Sequence, residues 1–268
     1  MYRTASVNTE LAIVPLGLSK IVHRSYPNGT TPVSSDDAAR HLSDLCAGYD
    51  VPYAASSALG NTFTSMARDL VSSLEAPVDL VVVAHDTPDL DHRLAATTYL
   101  SEALPTSALQ FTVSEGGSCT PYTALRLAGG YASRHGYQRV LVLLLDQATL
   151  PYETGIPLSG DAGVALLLDR SCATGVSLRQ VSGVSASSVP AVLADLLPAD
   201  GPLSVIAGAG IDPGRDLPSH ASVVWHAPAG APCTSTWAGL AAHFGPRVVL
   251  VDYEPRTGEL AVCTVGGQ

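Results

Sequence analysis

The chain has 268 residues, is 46% hydrophobic and 14% charged, and carries a formal charge of −10 from 14 basic and 24 acidic residues. With Lys20 as the only lysine, that balance argues against a nucleic-acid binder, which must neutralise phosphates with clustered cations. There is no apolar run long enough to cross a membrane, no leader-like start is read in "MYRTASVNTELAIV", and no CxxC or HxxxH pairing suggests a structural metal.

Five cysteines without regular spacing read as free thiols of a reducing, cytoplasmic compartment rather than a disulfide framework. The length suits one large core or two fused halves.

Strand-like and helix-like runs alternate along the chain. "ELAIVPLGL" reads as a first strand, and the turn-rich "RSYPNGTTPVSS" leads into a helix over "DDAARHLSDLCAGY" that the preceding serines would cap. A second helix is expected across "NTFTSMARDLVSSL". The β-branched run "VDLVVVAH" suits a strand covered on both faces. "HRLAATTYLSEAL" reads as helix, "ALQFTV" as a short strand, and "CTPYTALRLAGGYASRHG" as a helix that is apolar around most of its circumference. Tyr122, Ala124, Leu125, Ala128 and Tyr131 mark it as a core helix. "YQRVLVLLLD" and "DAGVALLLDR" are buried strands.

The remainder repeats this plan: strand "GVSLRQVSGV", helix "SVPAVLADLL", strands "LSVIAGAG" and "ASVVWHAP", helix "TSTWAGLAAHFG", and strands "RVVLVDYE" and "ELAVCTV". The fold class is therefore α/β with layered, partly parallel sheets. "GGSCTPYTALRLAGGYASRHGYQRVLVLLLD" and "GAPCTSTWAGLAAHFGPRVVLVDYE" match in order and character, since in each a cysteine–threonine pair opens an alanine-rich helix that precedes a buried strand. Such self-similarity implies a duplicated half, with boundaries at about 1–170 and 171–268.

Cys119 stands where glycines run into the core helix. A helix front offers unpaired N–H groups and partial positive charge, which would favour a thiolate. Gly116 and Gly117 would let the backbone approach a substrate, in a pocket they would share with Ser118, Cys233 and Thr234, and amides near Cys119 would hold an oxyanion. The alternative is an inert, buried thiol.

A duplicated strand–helix half with a cysteine opening a central helix resembles the thiolase superfamily, and within it the ketoacyl-ACP synthase III branch. "VDLVVVAHDTPDLDHRLAATTYLSEAL", the nucleophile region around Cys119, "LSGDAGVALLLD" and "APCTSTWAGLA" carry the resemblance in the right order. It implies a five-layered α-β-α-β-α sandwich of two pseudo-duplicated halves, the second abbreviated. It also implies a homodimer, or a heterodimer with a fuller synthase.

The activity implied is an acyltransferase or condensing-type enzyme of polyketide-like metabolism, acting on CoA or phosphopantetheine thioesters of an acyl carrier protein, without a tightly bound cofactor. In that branch the cysteine works with a histidine and an asparagine of the second half. Here "LSVIAGAGID" has no histidine, and Cys233 stands at the asparagine's place, followed by Thr234.

Candidate substitutes for the base are His226, at the end of "ASVVWH", and His85 with Asp86 in "AHDTPD". Asp86 looks aligned with the acid–base glutamate of hydroxymethylglutaryl-CoA synthases, although "DTPD" is also a good turn. Pseudo-twofold symmetry would bring Cys233 opposite Cys119. Cys46, Cys172 and Cys263 read as structural, and Asp161 as a turn-shaping residue. Arg126, Arg134 and Arg139 are candidates for a small phosphate-receiving patch. Three readings follow: a Cys119 acyltransferase, a non-catalytic partner subunit, and a thioesterase.

Overall fold

A computed structural model describes residues 11–33, 36–48, 50–54, 57–72, 74, 77–91, 95–104, 108–114, 116–155, 158–198 and 203–266. One sheet runs in the order β2 (Gly17–Ser25), β8 (Ala162–Asp169), β7 (Arg139–Asp146), β5 (Leu80–Ala84), β6 (Leu109–Val113). The other runs β1 (Ala12–Val14), β9 (Val176–Val181), β13 (Glu259–Gly266), β12 (Arg247–Glu254), β10 (Leu203–Ala207), β11 (Ala221–His226). A small ribbon pairs β3 (Thr31–Pro32) with β4 (Leu59–Gly60). The helices are α1 (Asp36–Gly48), α2 (Phe63–Val71), α3 (Ala96–Ala103), α4 (Thr120–His135), α5 (Val189–Leu196), α6 (Pro213–Asp216) and α7 (Ser235–Ala242).

The duplication read from the sequence extends to strand pairing. β5 lies parallel to both β6 and β7, as β10 does to both β11 and β12. β7 then pairs antiparallel with β8, as β12 does with β13. The halves thus differ in length but not in these strands, and the second is shortened in its connections. The expected first strand, "ELAIVPLGL", divides. β1 joins the second sheet beside β9, whereas β2 joins the first beside β8. The intervening Pro15 has no N–H for a ladder, and the chain changes sheets there.

Side-chain alternation along the strands builds the layers. Leu80, Val82, Ala84, Val140, Val142 and Leu144 face a central cluster with α4 and α7, while Val81, Val83, Leu141 and Leu143 face α2 and α3. In the second sheet Val248 and Leu250 point to the centre, and Val249, Val251 and Tyr253 point to α5. The result is an α-β-α-β-α sandwich. Helix α4 has Pro121 in its first turn and ends at Gly136, whose φ of 68° suits a left-handed cap. Tyr122, Ala124, Leu125 and Ala128 are buried as the apolar pattern predicts, while Tyr131 is only partly so. Among the described residues, no helix is long and apolar enough to cross a membrane.

Candidate functional site

Two helix fronts meet at the centre of the sandwich. A short 3-10 turn, Gly117–Cys119, leads into α4. Gly117 has φ of +54°, and a Cβ there would stand 1.8 Å from Glu254 Oε2, so this position demands glycine on two counts. The Cys233 thiol lies 3.9 Å from the Gly117 carbonyl oxygen, which brings the cysteine that precedes α7 up to the front of α4. Both thiols are free and fully buried.

Each front is satisfied by acids of the same chain. At α7, Cys233 N and Thr234 N donate to Asp146, at 3.1 and 2.8 Å, and the Thr234 hydroxyl adds a third bond of 2.7 Å. At α4, Gly117 N donates to Asp86 Oδ1 at 2.8 Å and Ser118 N to Glu254 Oε2 at 3.1 Å. Cys119 N donates to the Gly116 carbonyl at 3.1 Å.

Arg256, in the turn between β12 and β13, bonds Asp86 Oδ2 at 2.8 Å and Glu254 Oε1 at 2.9 Å. Asp146 ends β7 and Glu254 ends β12, the matching strands of the two halves. The strand after each central helix therefore supplies a carboxylate to the front of the other. Between the helices, Asp252 accepts from the Tyr122 hydroxyl at 2.7 Å and the Thr236 hydroxyl at 3.2 Å.

This electrostatic setting corrects the sequence-based expectation for Cys119. Burial, followed by the carboxylates of Asp252, Glu259 and Glu254, pushes its thiol well above the ordinary range. The sulfur lies 3.4 Å from the Glu259 carbonyl oxygen, toward which it donates. The positive end of α4 is spent on Asp86 and Glu254, so little remains to stabilise a thiolate. Cys233 is pushed up likewise, by burial and then by Asp146 and Asp86. Burial also raises Asp146 to about 6 and Asp252 to about 7.

The other predicted residues divide. Gly116, Gly117, Ser118, Asp86, Cys233 and Thr234 gather at the two fronts. Asp86 is engaged there with the Gly117 amide and Arg256 and has 5% of its side chain exposed. His85, its neighbour just past the end of β5, turns to the other side, where its ring lies 4.7 Å from that of Phe63, the first residue of α2. His226 is exposed at the end of β11, an edge strand. Neither imidazole therefore sits in the layer that holds Cys119, because each falls on the wrong phase or the wrong edge of its strand.

Of the three arginines, Arg126 and Arg134 line one cavity of 870 Å³ along α4 together with Tyr131 and His135, whereas Arg139 lies apart from it. Arg139 pairs with Asp169 at 2.5 Å and Arg126 with Gln180 at 3.0 Å, while Arg134 lies in the last turn of α4. Asp161 accepts from Asn61 N at 3.0 Å and Ala148 N at 2.7 Å, 100 and 13 residues away, so it bonds backbone amides as expected but ties distant segments together instead of shaping a local turn. His92 lies outside the described residues.

The sequence reading missed Asp146, Asp252, Glu254, Arg256 and Glu259. Strand phase carried the signal for three of them. Val248 and Leu250 point inward, so Asp252 and Glu254 must too, and Asp146 follows Leu144 in the same way.

Two cavities border the site. One of 240 Å³ is lined by Ser118, Gly210, Ser235, Glu254 and Arg256, with small residues of the Pro228–Pro232 loop. It reaches the residue before Cys119 but is not lined by Cys119 itself. The other, of 470 Å³, lies between β2 and α7 and includes Tyr26, Thr234 and Trp225, whose buried indole N–H has no hydrogen-bond partner.

No protein-family profile matches the chain, and no curated protein matches it in sequence. Solved structures do match. A 3-oxoacyl-(acyl-carrier protein) synthase from Burkholderia xenovorans LB400 superimposes with a TM-score of 0.65 at 14% identity, over 97% of each chain. The 3-oxoacyl-(acyl carrier protein) synthase III FabH of Pseudomonas aeruginosa PAO1 gives 0.58 at 16% identity, over 96% of this chain and 98% of its own. An HMG-CoA synthase complexed with CoA gives 0.60 at 13% identity, over 93% and 81%. The chain has the thiolase fold of these synthases.

Proposed function

We propose that this protein is an acyl-transferring enzyme in which Cys119 receives an acyl group from a CoA or carrier-protein thioester, and that the form described here is its closed state. The observation that carries the reading is the binding of two carboxylate oxygens by successive amides, Gly117 N and Ser118 N, immediately before the thiol. An oxyanion needs donors of this kind, and Asp86 and Glu254 occupy them in its stead. A cavity already extends from the surface to Ser118 and Glu254.

In the reaction, the Cys119 thiolate attacks the thioester carbonyl, and the tetrahedral oxyanion rests on the freed amides. The carbon–sulfur bond to the carrier then breaks, and the carrier leaves as a thiol with the proton that Cys119 gave up. An acceptor nucleophile next attacks the acyl-cysteine and returns the thiol. With His85 and His226 both directed elsewhere, Asp252, whose carboxylate acts most strongly on the Cys119 thiol and is raised to about 7, is the group best suited to take the proton. The missing histidine and asparagine favour simple transfer over decarboxylative carbon–carbon bond formation. Use of water as the acceptor would make the protein a thioesterase. A role in polyketide-like metabolism, and a dimer with itself or with a fuller synthase, accord with the fold.

A second reading rests on a specific observation. Cys119 is 0% exposed and its thiol is raised by surrounding acids, as suits a non-catalytic partner subunit that kept the fold. Incubation with a series of acyl-CoAs, followed by intact-protein mass spectrometry, separates the two. An acyl adduct that Cys119→Ala abolishes supports transfer. Absence of both an adduct and released free acid with every donor, in wild type and in Arg256→Gln alike, makes the chain a partner subunit.

A further inference from the structure

We infer that Asp86, Arg256 and Glu254 form an autoinhibitory clasp, and that Arg256 is the residue whose withdrawal exposes Cys119. Two carboxylates accept from adjacent backbone amides, so their charges crowd one helix turn. The helix-front amides offset part of this crowding, and the guanidinium that bonds both acids supplies the full positive charge that offsets the rest, because like charges at such range repel.

The clasp is asymmetric in exposure. Asp86 and Glu254 have 5% and 8% of their side chains exposed, whereas Arg256 has 45%. The part that holds the acids in place is thus the part that solvent, or a docking molecule, can reach. Arg256 also sits in a turn, bounded by Pro255 and by Gly258 with φ of 64°, and not within a ladder. Its departure therefore breaks side-chain bonds while the β12–β13 pairing stays intact.

Both Arg256 and Glu254 line the 240 Å³ cavity together with Ser118. When the arginine side chain swings out, Glu254 keeps the Arg256 backbone amide, 3.1 Å from its Oε1, but loses the cation that balanced its charge. It turns from Ser118 N toward that amide, which frees Ser118 N and extends the cavity toward the sulfur. The contact at α7 has no such handle, since Asp146 is buried, receives three bonds from Cys233 and Thr234, and carries no cation.

The inference deepens the proposed site but is tested without any acyl transfer. Folded protein is treated with iodoacetamide, and modification of each cysteine is followed by peptide mass spectrometry. Cys263, fully buried within β13, serves as the internal reference for global unfolding. Arg256→Gln is expected to raise the alkylation rate of Cys119 relative to Cys263 by about tenfold, as local opening replaces global opening. Arg256→Lys, which keeps the charge but loses the two-armed geometry, should raise it about threefold. If Arg256→Gln does not fold, the lysine variant carries the test alone. An unchanged Cys119 rate in a folded variant, or equal acceleration of Cys119 and Cys263, overturns the clasp. A tenfold-faster Cys119 that still takes no acyl group would leave the clasp standing and remove the transferase reading.

Discussion

The fronts of α4 and α7 are the same piece of chain used twice, and they end differently. Before α7, one buried aspartate collects two amides and a hydroxyl. That is a complete helix cap, with every oxygen turned inward. Before α4, the same office is divided between Asp86 and Glu254, and the second acid needs a half-exposed arginine to be tolerated there. Dividing the cap puts charge next to a cavity and ties the seal to a solvent-facing residue. One front is thus built for stability, and the other for a closure that can be undone.

The sharpest way to break this comparison is Asp146→Ala. It leaves the buried amides of Cys233 and Thr234 without acceptors, and urea unfolding should record a loss of about 3 kcal/mol or more. A loss no larger than that of a surface substitution would mean that α7 needs no such cap.

The second test uses pH. Asp252 and Asp146 have folded-state values raised to about 7 and about 6. The folded protein therefore keeps protons that the unfolded chain has released above about pH 4, and stability falls as pH rises from about 4 to 7. Asp252→Asn should flatten that fall and make the protein about 2 kcal/mol more stable than wild type at pH 8. Chemical unfolding at pH 5 and pH 8 measures it, and parallel curves for the two proteins would reject the raised value.

Gly117→Ala probes the α4 front directly. A positive φ and a Cβ 1.8 Å from Glu254 Oε2 should together cost about 2 kcal/mol in thermal or urea unfolding. Tyr122→Phe removes one bond to Asp252 and should cost about 1 kcal/mol. His226→Ala should alter stability by less than about 0.5 kcal/mol, as an exposed site does, and should leave Cys119 acylation unchanged. A large loss of acylation in that variant would restore His226 as a base and refute its placement.

The sequence made the layered architecture legible because its apolar runs have strong periods. "VDLVVVAH" and "YQRVLVLLLD" have little choice but to become buried strands, and the paired "CT" helices announced the duplication. It also singled out segments that the fold gathers at the two helix fronts, namely Gly116 to Cys119, Asp86, Cys233 and Thr234. It misled on the bases, because a histidine is conspicuous in a sequence whereas the phase of its strand is not. His85 and Asp86 are neighbours in the chain, just past the end of β5, but one meets Phe63 and the other the front of α4.

What the chain determined alone is what repeats locally, that is, strand and helix periods and the glycine-rich entry to α4. Only the tertiary structure decided the charge state of the site. Glu254 and Arg256 lie more than a hundred residues from Ser118 and Asp86 and meet them only when the two sheets close on the central helices. A thiol that local sequence surrounds with helix-front amides is, in the folded protein, surrounded by acids. The reason is physical: a helix dipole acts on whatever is nearest to it, and only packing sets what that is.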